Sequence, residues 1–112
     1  VTDSADGSVY DLVILGGGSG GYAAALRGAE LGLSVALVER DKLGGTCLHR
    51  GCIPTKALLH AAEVADVARE GAHVGVNTTL ESIDIGKVNA YKDGVVARLY
   101  KGLQGLVKDK AI

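Results

Sequence analysis

The 112-residue chain has no tryptophan, phenylalanine or methionine, a single proline and only two cysteines. Aromatic residues make up 4% of it, so it offers no platform on which bases could stack. Its 12 basic residues are scattered among 13 acidic ones rather than gathered into a phosphate-binding stripe, and a nucleic-acid partner is not expected. Long apolar runs are missing too. Stretches such as Leu12 to Leu15 fall far short of the roughly 20 residues that cross a bilayer, so no membrane association is expected. The opening residues lack the charged and then apolar regions of a secretory signal, and Asp3 and Asp6 are out of keeping with a transit peptide. The expected location is the bacterial cytoplasm. In such a reducing compartment two cysteines are more often catalytic or metal-binding than a structural staple.

What is present is 47% apolar residues at a net charge of -1, the balance of an ordinary globular domain, together with 17 glycines. So many glycines in a chain with clear apolar runs point to close backbone approaches rather than low complexity. Residues 1–8 are small and polar and read as a disordered lead-in, with structure expected from Val9 onward. Val9 to Leu15 reads as a strand buried on both faces. Gly18 to Gly32 reads as a helix, with Tyr22, Ala25, Leu26 and Ala29 on one side and Gly32 where a C-terminal cap belongs. Ser34 to Glu39 reads as a second strand, which completes a right-handed βαβ unit.

A loop from Arg40 to Thr46 is expected next, then a helix whose apolar face is Leu58, Leu59, Ala62, Val64, Ala65 and Ala68, ended by Gly71. His73 to Val76 has weak strand character. A third helix is expected from Ile85 to Lys108, carrying Val88, Tyr91, Val95, Leu99, Leu103 and Leu106 at helical spacing, with Asp84 as its cap. Asp109 to Ile112 reads as the approach to another strand. Two parallel strands make a poor sheet by themselves, because such strands are buried between helices and neighbouring strands. The expected fold class is therefore α/β: an incomplete doubly wound, Rossmann-like parallel sheet over residues 9–112, in a fragment of a longer chain.

Gly16, Gly18 and Gly21 stand in G-x-G-x-x-G register between the expected strand and helix. In that setting the first glycine permits a tight turn, the second lets backbone approach a pyrophosphate, and the third lets helix pack on strand. The helix N-terminus then holds phosphate through its N–H groups and dipole. Glu39, 18 residues beyond Gly21, is placed to accept hydrogen bonds from a ribose. A carboxylate there disfavours a 2′-phosphate, so FAD or NAD is expected rather than NADP.

Cys47 and Cys52 lie five positions apart in GGTCLHRGCIPTK, Gly44 to Lys56. Across an ideal helix that spacing is about 7.5 Å of rise and about 140° of rotation. A disulfide needs its Cα atoms within about 7 Å, so a bridge between these two would require a distorted backbone. Gly51 tolerates unusual dihedrals, and Pro54 withholds the N–H that would bond the carbonyl of Arg50. Thr46 is a candidate N-cap that would put Cys47 in the first turn, where the dipole favours a thiolate. Lys56, four residues after Cys52, would share its helix face. Other readings stay open at this point: buried free cysteines, a solvated Lys56, or a zinc ion on the two cysteines with His49 and His60, although the offsets match no usual finger. His60 and His73 read as ordinary histidines.

The segment GGTCLHRGCIPTKALL resembles the active-site signature of the class I pyridine nucleotide-disulfide oxidoreductases, and the resemblance runs from Val9 to about Leu106. It is most similar to the dihydrolipoamide-oxidising branch; glutathione and mercuric reductases share the cysteine spacing, but Leu48 and the Ile53 to Leu59 run favour the former. The resemblance implies a redox-active Cys47–Cys52 disulfide and bound FAD. It implies that Gly16, Gly18 and Gly21 hold the pyrophosphate, Glu39 and the adjoining Arg40 the adenosine side, and Gly45, Thr46 and Lys56 the flavin side. Cys47 would exchange with dihydrolipoamide and Cys52 would face the flavin, with NAD+ as final acceptor. The implied partners are the lipoyl domain of an acyltransferase in a 2-oxoacid dehydrogenase complex and a second subunit in a homodimer. A second glycine fingerprint for NAD+ and the family's His-Glu base are not among these residues. A non-catalytic dinucleotide-binding module is the remaining alternative. His49 and Arg50 depart from the Asn and Val usual there, and two basic groups between the cysteines should favour thiolate and raise the reduction potential.

Overall fold

The computed structural model describes residues 7–112; the expected lead-in at residues 1–8 falls largely outside them. Seven elements follow in order: β1 (Leu12–Leu15), α1 (Ser19–Glu30), β2 (Val35–Val38), α2 (Gly45–His49), α3 (Cys52–Glu70), a 3-10 turn (Gly71–Val74) and α4 (Ile85–Asp109). The chain divides into two compact units, one running to Gly45 and taking in Gly102–Ile112, the other Thr46–Lys101. The architecture is mixed α/β. Among the described residues no helix is long and apolar enough to cross a membrane.

In the first unit β1 and β2 pair in parallel, in a register that sets Leu12 beside Val35 and Leu15 beside Val38. Side chains alternate across a strand, so Leu12, Ile14, Val35 and Leu37 share the face toward α1. Ala25 and Gly28 are the buried residues of α1. A Cβ on Gly28 would come within 3.0 Å of Leu12 and 3.2 Å of Val35, so this glycine lets the helix lie close on both strands. The opposite sheet face is open: Val13, Leu15 and Val38 are 57%, 82% and 52% exposed. The expectation of a strand buried on both faces is thus corrected, since α1 covers one side only.

The first strand also begins later than expected, at Leu12 rather than Val9. Asp11 and Ser34 exchange hydrogen bonds there, with the Ser34 N–H and hydroxyl donating to the Asp11 carboxylate at 2.8 Å and the Asp11 N–H to the Ser34 hydroxyl at 2.9 Å. This side-chain clasp replaces the ladder. At the far end of α1, Gly32 takes a left-handed φ of 83°. Its N–H donates to Ala29 and that of Leu33 to Gly28, the paired bonds that close a helix on glycine.

The second unit is helical. The apolar face expected on α3 is only partly covered: Ala57 and Ala65 are buried, while Leu59 and Val64 are 62% and 57% exposed. His73 to Val76 is not a strand. Gly71–Val74 forms a 3-10 turn closed by Gly75 at φ 81°, and the Thr78 hydroxyl donates back to the Ala68 carbonyl. The α4 start is as expected, with the Lys87 N–H donating to the Asp84 carboxylate at 3.1 Å. Nor does a strand begin at Asp109. Ala111 adopts φ 56°, and the N–H groups of Ala111 and Ile112 close the helix on Lys108 and Val107.

Candidate functional site

Two sets of residues bear chemistry, each within one unit. The first is the glycine turn between β1 and α1. Gly16 takes φ 101°, which a side chain rarely adopts, and its N–H donates to Val38 at 2.8 Å. Gly18 is the N-cap of α1 with no side-chain cap bond, so the first N–H groups of the helix face outward from bare backbone. A Cβ on Gly21 would overlap the Gly16 carbonyl. Of the three glycines singled out in the sequence, Gly16 and Gly21 are therefore required by the turn, whereas a Cβ on Gly18, at φ -73°, would meet only the Gly45 Cα at 3.9 Å.

Glu39 closes this turn. Its carboxylate accepts the Gly17 N–H at 2.7 Å and the Asp41 N–H at 3.0 Å. The hydrogen bond from Gly17 first, then that from Asp41, holds its carboxyl below the usual range. Gly17 in turn accepts the Gly44 N–H at 2.8 Å. A Cβ on Gly45, which sits at φ 63°, would come 2.7 Å from the Gly18 Cα. Gly17 and Gly44 escaped the sequence reading because Gly17 is an unspecified position of the fingerprint and Gly44 lies outside it; the three glycines at 16–18 and the two at 44–45 were the available signal. Arg40 is exposed beside Glu39.

The second set is the cysteine segment. Cys47 and Cys52 are joined as a disulfide with Cα atoms 4.6 Å apart. Such closeness is impossible over five residues of ideal helix, and the chain breaks where the sequence supplies the means. Helix α2 ends at His49, and Gly51 stands at φ -125°, ψ -108°, outside helical geometry, before α3 starts at Cys52. The Arg50 N–H closes on Thr46 at 2.9 Å and the Thr55 N–H on Gly51 at 3.1 Å, each within its own helix. Pro54 sits in the first turn of α3, where its missing N–H leaves no bond unmade.

One expectation is corrected here. Thr46 is not an N-cap but lies inside α2, which begins at Gly45, so the expected loop stops at Gly44. Cys47 is in the first turn of a five-residue helix, whereas Cys52 is the first residue of a 19-residue one. The stronger dipole therefore acts on Cys52. Cys47 is half-buried and Cys52 exposed; Lys56, also exposed, follows Cys52 by one turn on α3.

His49 rests edge-on against Tyr100 of α4, with ring centroids 4.9 Å apart. His60 pairs with Glu63 at 3.6 Å, and its ring lies 6.3 Å from that of Tyr91. His73 is exposed. Among the described residues no three of His, Cys, Asp or Glu are gathered to hold a metal ion. The arrangement offers two things: a bare-backbone anion cradle at a helix N-terminus, and a disulfide whose second sulfur begins a long helix.

A sequence profile described as pyridine nucleotide-disulphide oxidoreductase matches residues 10–112. Dihydrolipoyl dehydrogenase of Bacillus subtilis (strain 168) is 57% identical over 99 residues, 88% of this chain and 21% of that protein. Dihydrolipoyl dehydrogenase 2 of Haloarcula marismortui is 49% identical over 102 residues, 91% of this chain and 21% of that protein. Dihydrolipoyl dehydrogenase of Thermus scotoductus is 48% identical over 103 residues, 92% and 22% respectively. The chain spans about a fifth of the length of these relatives.

Proposed function

The chain belongs to the pyridine nucleotide-disulphide oxidoreductase family, and from that premise we propose that it supplies the FAD cradle and redox-active disulfide of an enzyme that oxidises dihydrolipoamide to lipoamide with NAD+ as acceptor. The observation that carries this reading is the Cys47–Cys52 bridge across the break between α2 and α3. The open sheet face at Val13, Leu15 and Val38 supports a doubly wound fold in which a further layer covers it. The NAD+ site and the catalytic base belong to sequence beyond these 112 residues. The names of the relatives favour the lipoamide substrate, and with it a lipoyl domain and a second subunit as partners.

The residues fit a dinucleotide. A side chain at Gly21 would overlap the turn, Gly18 leaves the helix N-terminus bare, and Glu39 at the end of β2 is an ionised acceptor. Gly16, Gly18 and Gly21 would hold the FAD pyrophosphate, Glu39 its ribose with Arg40 alongside, and Gly45, Thr46 and Lys56 the flavin side. When bound, FAD supplies the two-electron chemistry that carries electrons from the dithiol to NAD+. The protein's own part is thiol exchange. A dihydrolipoamide thiolate attacks Cys47, forming a mixed disulfide and releasing Cys52 as thiolate. The second substrate thiol then displaces Cys47, so lipoamide leaves oxidised and Cys47 and Cys52 remain as the reduced pair. The long α3 dipole favours the charge released on Cys52.

The test is a thiol count on the flavin-loaded full-length protein, before and after dihydrolipoamide, together with NAD+ reduction. Two new thiols per chain are expected, lost again on adding NAD+. Offered lipoamide, whose own disulfide a thiolate can open, Cys52→Ser should trap it on Cys47 as a mixed disulfide, the last step run in reverse, and Cys47→Ser should trap none. A count that does not change rejects the reading.

A further inference from the structure

The stretch between the two cysteines is held by a residue that no motif marks. His49, the last residue of α2, sets its ring edge-on to Tyr100 at an interplanar angle of 77°, and both lie in the Thr46–Lys101 unit with the disulfide. While the disulfide is closed, the bridge itself fixes the end of α2 against the start of α3. Opening it removes that constraint at the one place where the backbone has already left helical geometry, Gly51. The Arg50 N–H bonds back to Thr46 and the Thr55 N–H back to Gly51, one on each side of the junction. The ring pair, by contrast, ties the end of α2 to a separate 25-residue helix.

We infer that Tyr100 is a positioning residue for the redox pair: acting through His49, it keeps α2 in place in the dithiol form, so that Cys47 and Cys52 stay facing one another. The inference rests on the reading of Cys47–Cys52 as a redox pair. Its thermodynamic sense follows from three states. The ring contact stabilises the disulfide form and the ordered dithiol alike, but not a dithiol whose α2 has swung away. Losing the ring therefore populates the disordered dithiol and makes the disulfide easier to reduce. An aromatic pair of this geometry corresponds to about a two- to tenfold change in an equilibrium constant. For a two-electron couple that is about 10 to 30 mV.

The test uses the full-length protein, its Tyr100→Leu, Tyr100→Phe and His49→Asn variants, and the double variant His49→Asn with Tyr100→Leu. Each is equilibrated in reduced and oxidised lipoamide mixtures, quenched by alkylation and counted for thiols. Tyr100→Leu should lower the constant for disulfide formation two- to tenfold, Tyr100→Phe should match the parent, and Tyr100→Leu should add little once His49 is Asn. A constant unmoved by Tyr100→Leu, an equal fall in Tyr100→Phe, or an undiminished effect in the His49→Asn background overturns the proposal. Tyr100→Met is a second ringless variant should Tyr100→Leu not fold. A merely structural role would shift thermal unfolding of the oxidised and reduced forms equally and leave the constant alone. If the parent itself shows no reversible pair, it is the underlying functional reading that fails.

Discussion

Two neighbouring glycines in the first turn of α1 should respond in opposite ways to the same added methyl group. A Cβ at Gly21 would overlap the Gly16 carbonyl oxygen, stand 2.9 Å from its carbon and 3.5 Å from Ile14. The obstacle is main chain, which no rotamer change relieves. Gly16 cannot retreat without giving up its 2.8 Å bond to Val38 and its φ of 101°. Gly21→Ala can be housed only if α1 lifts from β1, which also opens the contact of Gly28 with Leu12 and Val35. Overpacking typically costs about 1 to 3 kcal/mol, and a main-chain obstacle belongs at the top of that range. The unfolding midpoint should fall by roughly 5 to 10 °C. At Gly20 nothing lies within 4 Å of the added Cβ. There helix propensity decides, and Gly20→Ala should be neutral or up to about 1 kcal/mol stabilising. Urea and thermal unfolding of parent and both variants, followed by circular dichroism on flavin-free protein, measure the difference. Equal midpoints for the two variants, or a Gly21→Ala indistinguishable from parent, would refute the reasoning.

Asp84→Ala removes the carboxylate that caps α4 through the Lys87 N–H and should cost about 1 kcal/mol in urea unfolding; no change would show that the cap carries no weight. Gly51→Ala would bring a Cβ to 3.1 Å from the Thr46 carbonyl, so the junction must give, and disulfide formation should weaken roughly fivefold in a lipoamide redox equilibrium. Asp11 is held below the usual carboxylate range first by the Ser34 N–H and then by its hydroxyl, and Glu39 by the N–H groups of Gly17 and Asp41. Both contributions are present above the unfolded-state values and disappear as pH falls through the lower folded-state ones. The urea midpoint should therefore decline on acidification below about pH 5, and less steeply in the double variant Asp11→Asn with Glu39→Gln. Parallel pH profiles would count against both carboxylates.

The elements that could be read from the sequence are those set by neighbours a few positions away. Gly32 as a left-handed stop, Asp84 as a cap and the apolar stripe of α1 are all local, and the structure has each of them. The failures come from contacts between distant residues. The strand start moved to Leu12 because Asp11 finds Ser34, 23 positions on. His73 to Val76 has a plausible strand pattern, yet Gly71 and Gly75 wrap it into a 3-10 turn that the Thr78 hydroxyl fastens to α3. Propensity loses to a turn whose ends are fixed from outside.

The site follows the same division, with one consequence for its chemistry. The spacing of Cys47 and Cys52 already required a break, and Gly51 with Pro54 marked where it falls. The register of helix starts was not marked: a threonine before a cysteine is a natural cap, but Gly44 and Gly45, at φ 112° and 63°, let α2 begin two residues sooner. That shift alone moves little. What alters the reading is the length of the helix on either side of the break, five residues against 19. A dipole grows with aligned peptides, so thiolate is favoured at Cys52 rather than at Cys47. A disulfide opened by attack at Cys47 then leaves its charge on the sulfur that α3 stabilises. In the other unit Glu39, its carboxylate bonded to the Gly17 N–H, holds the glycine turn in shape by itself.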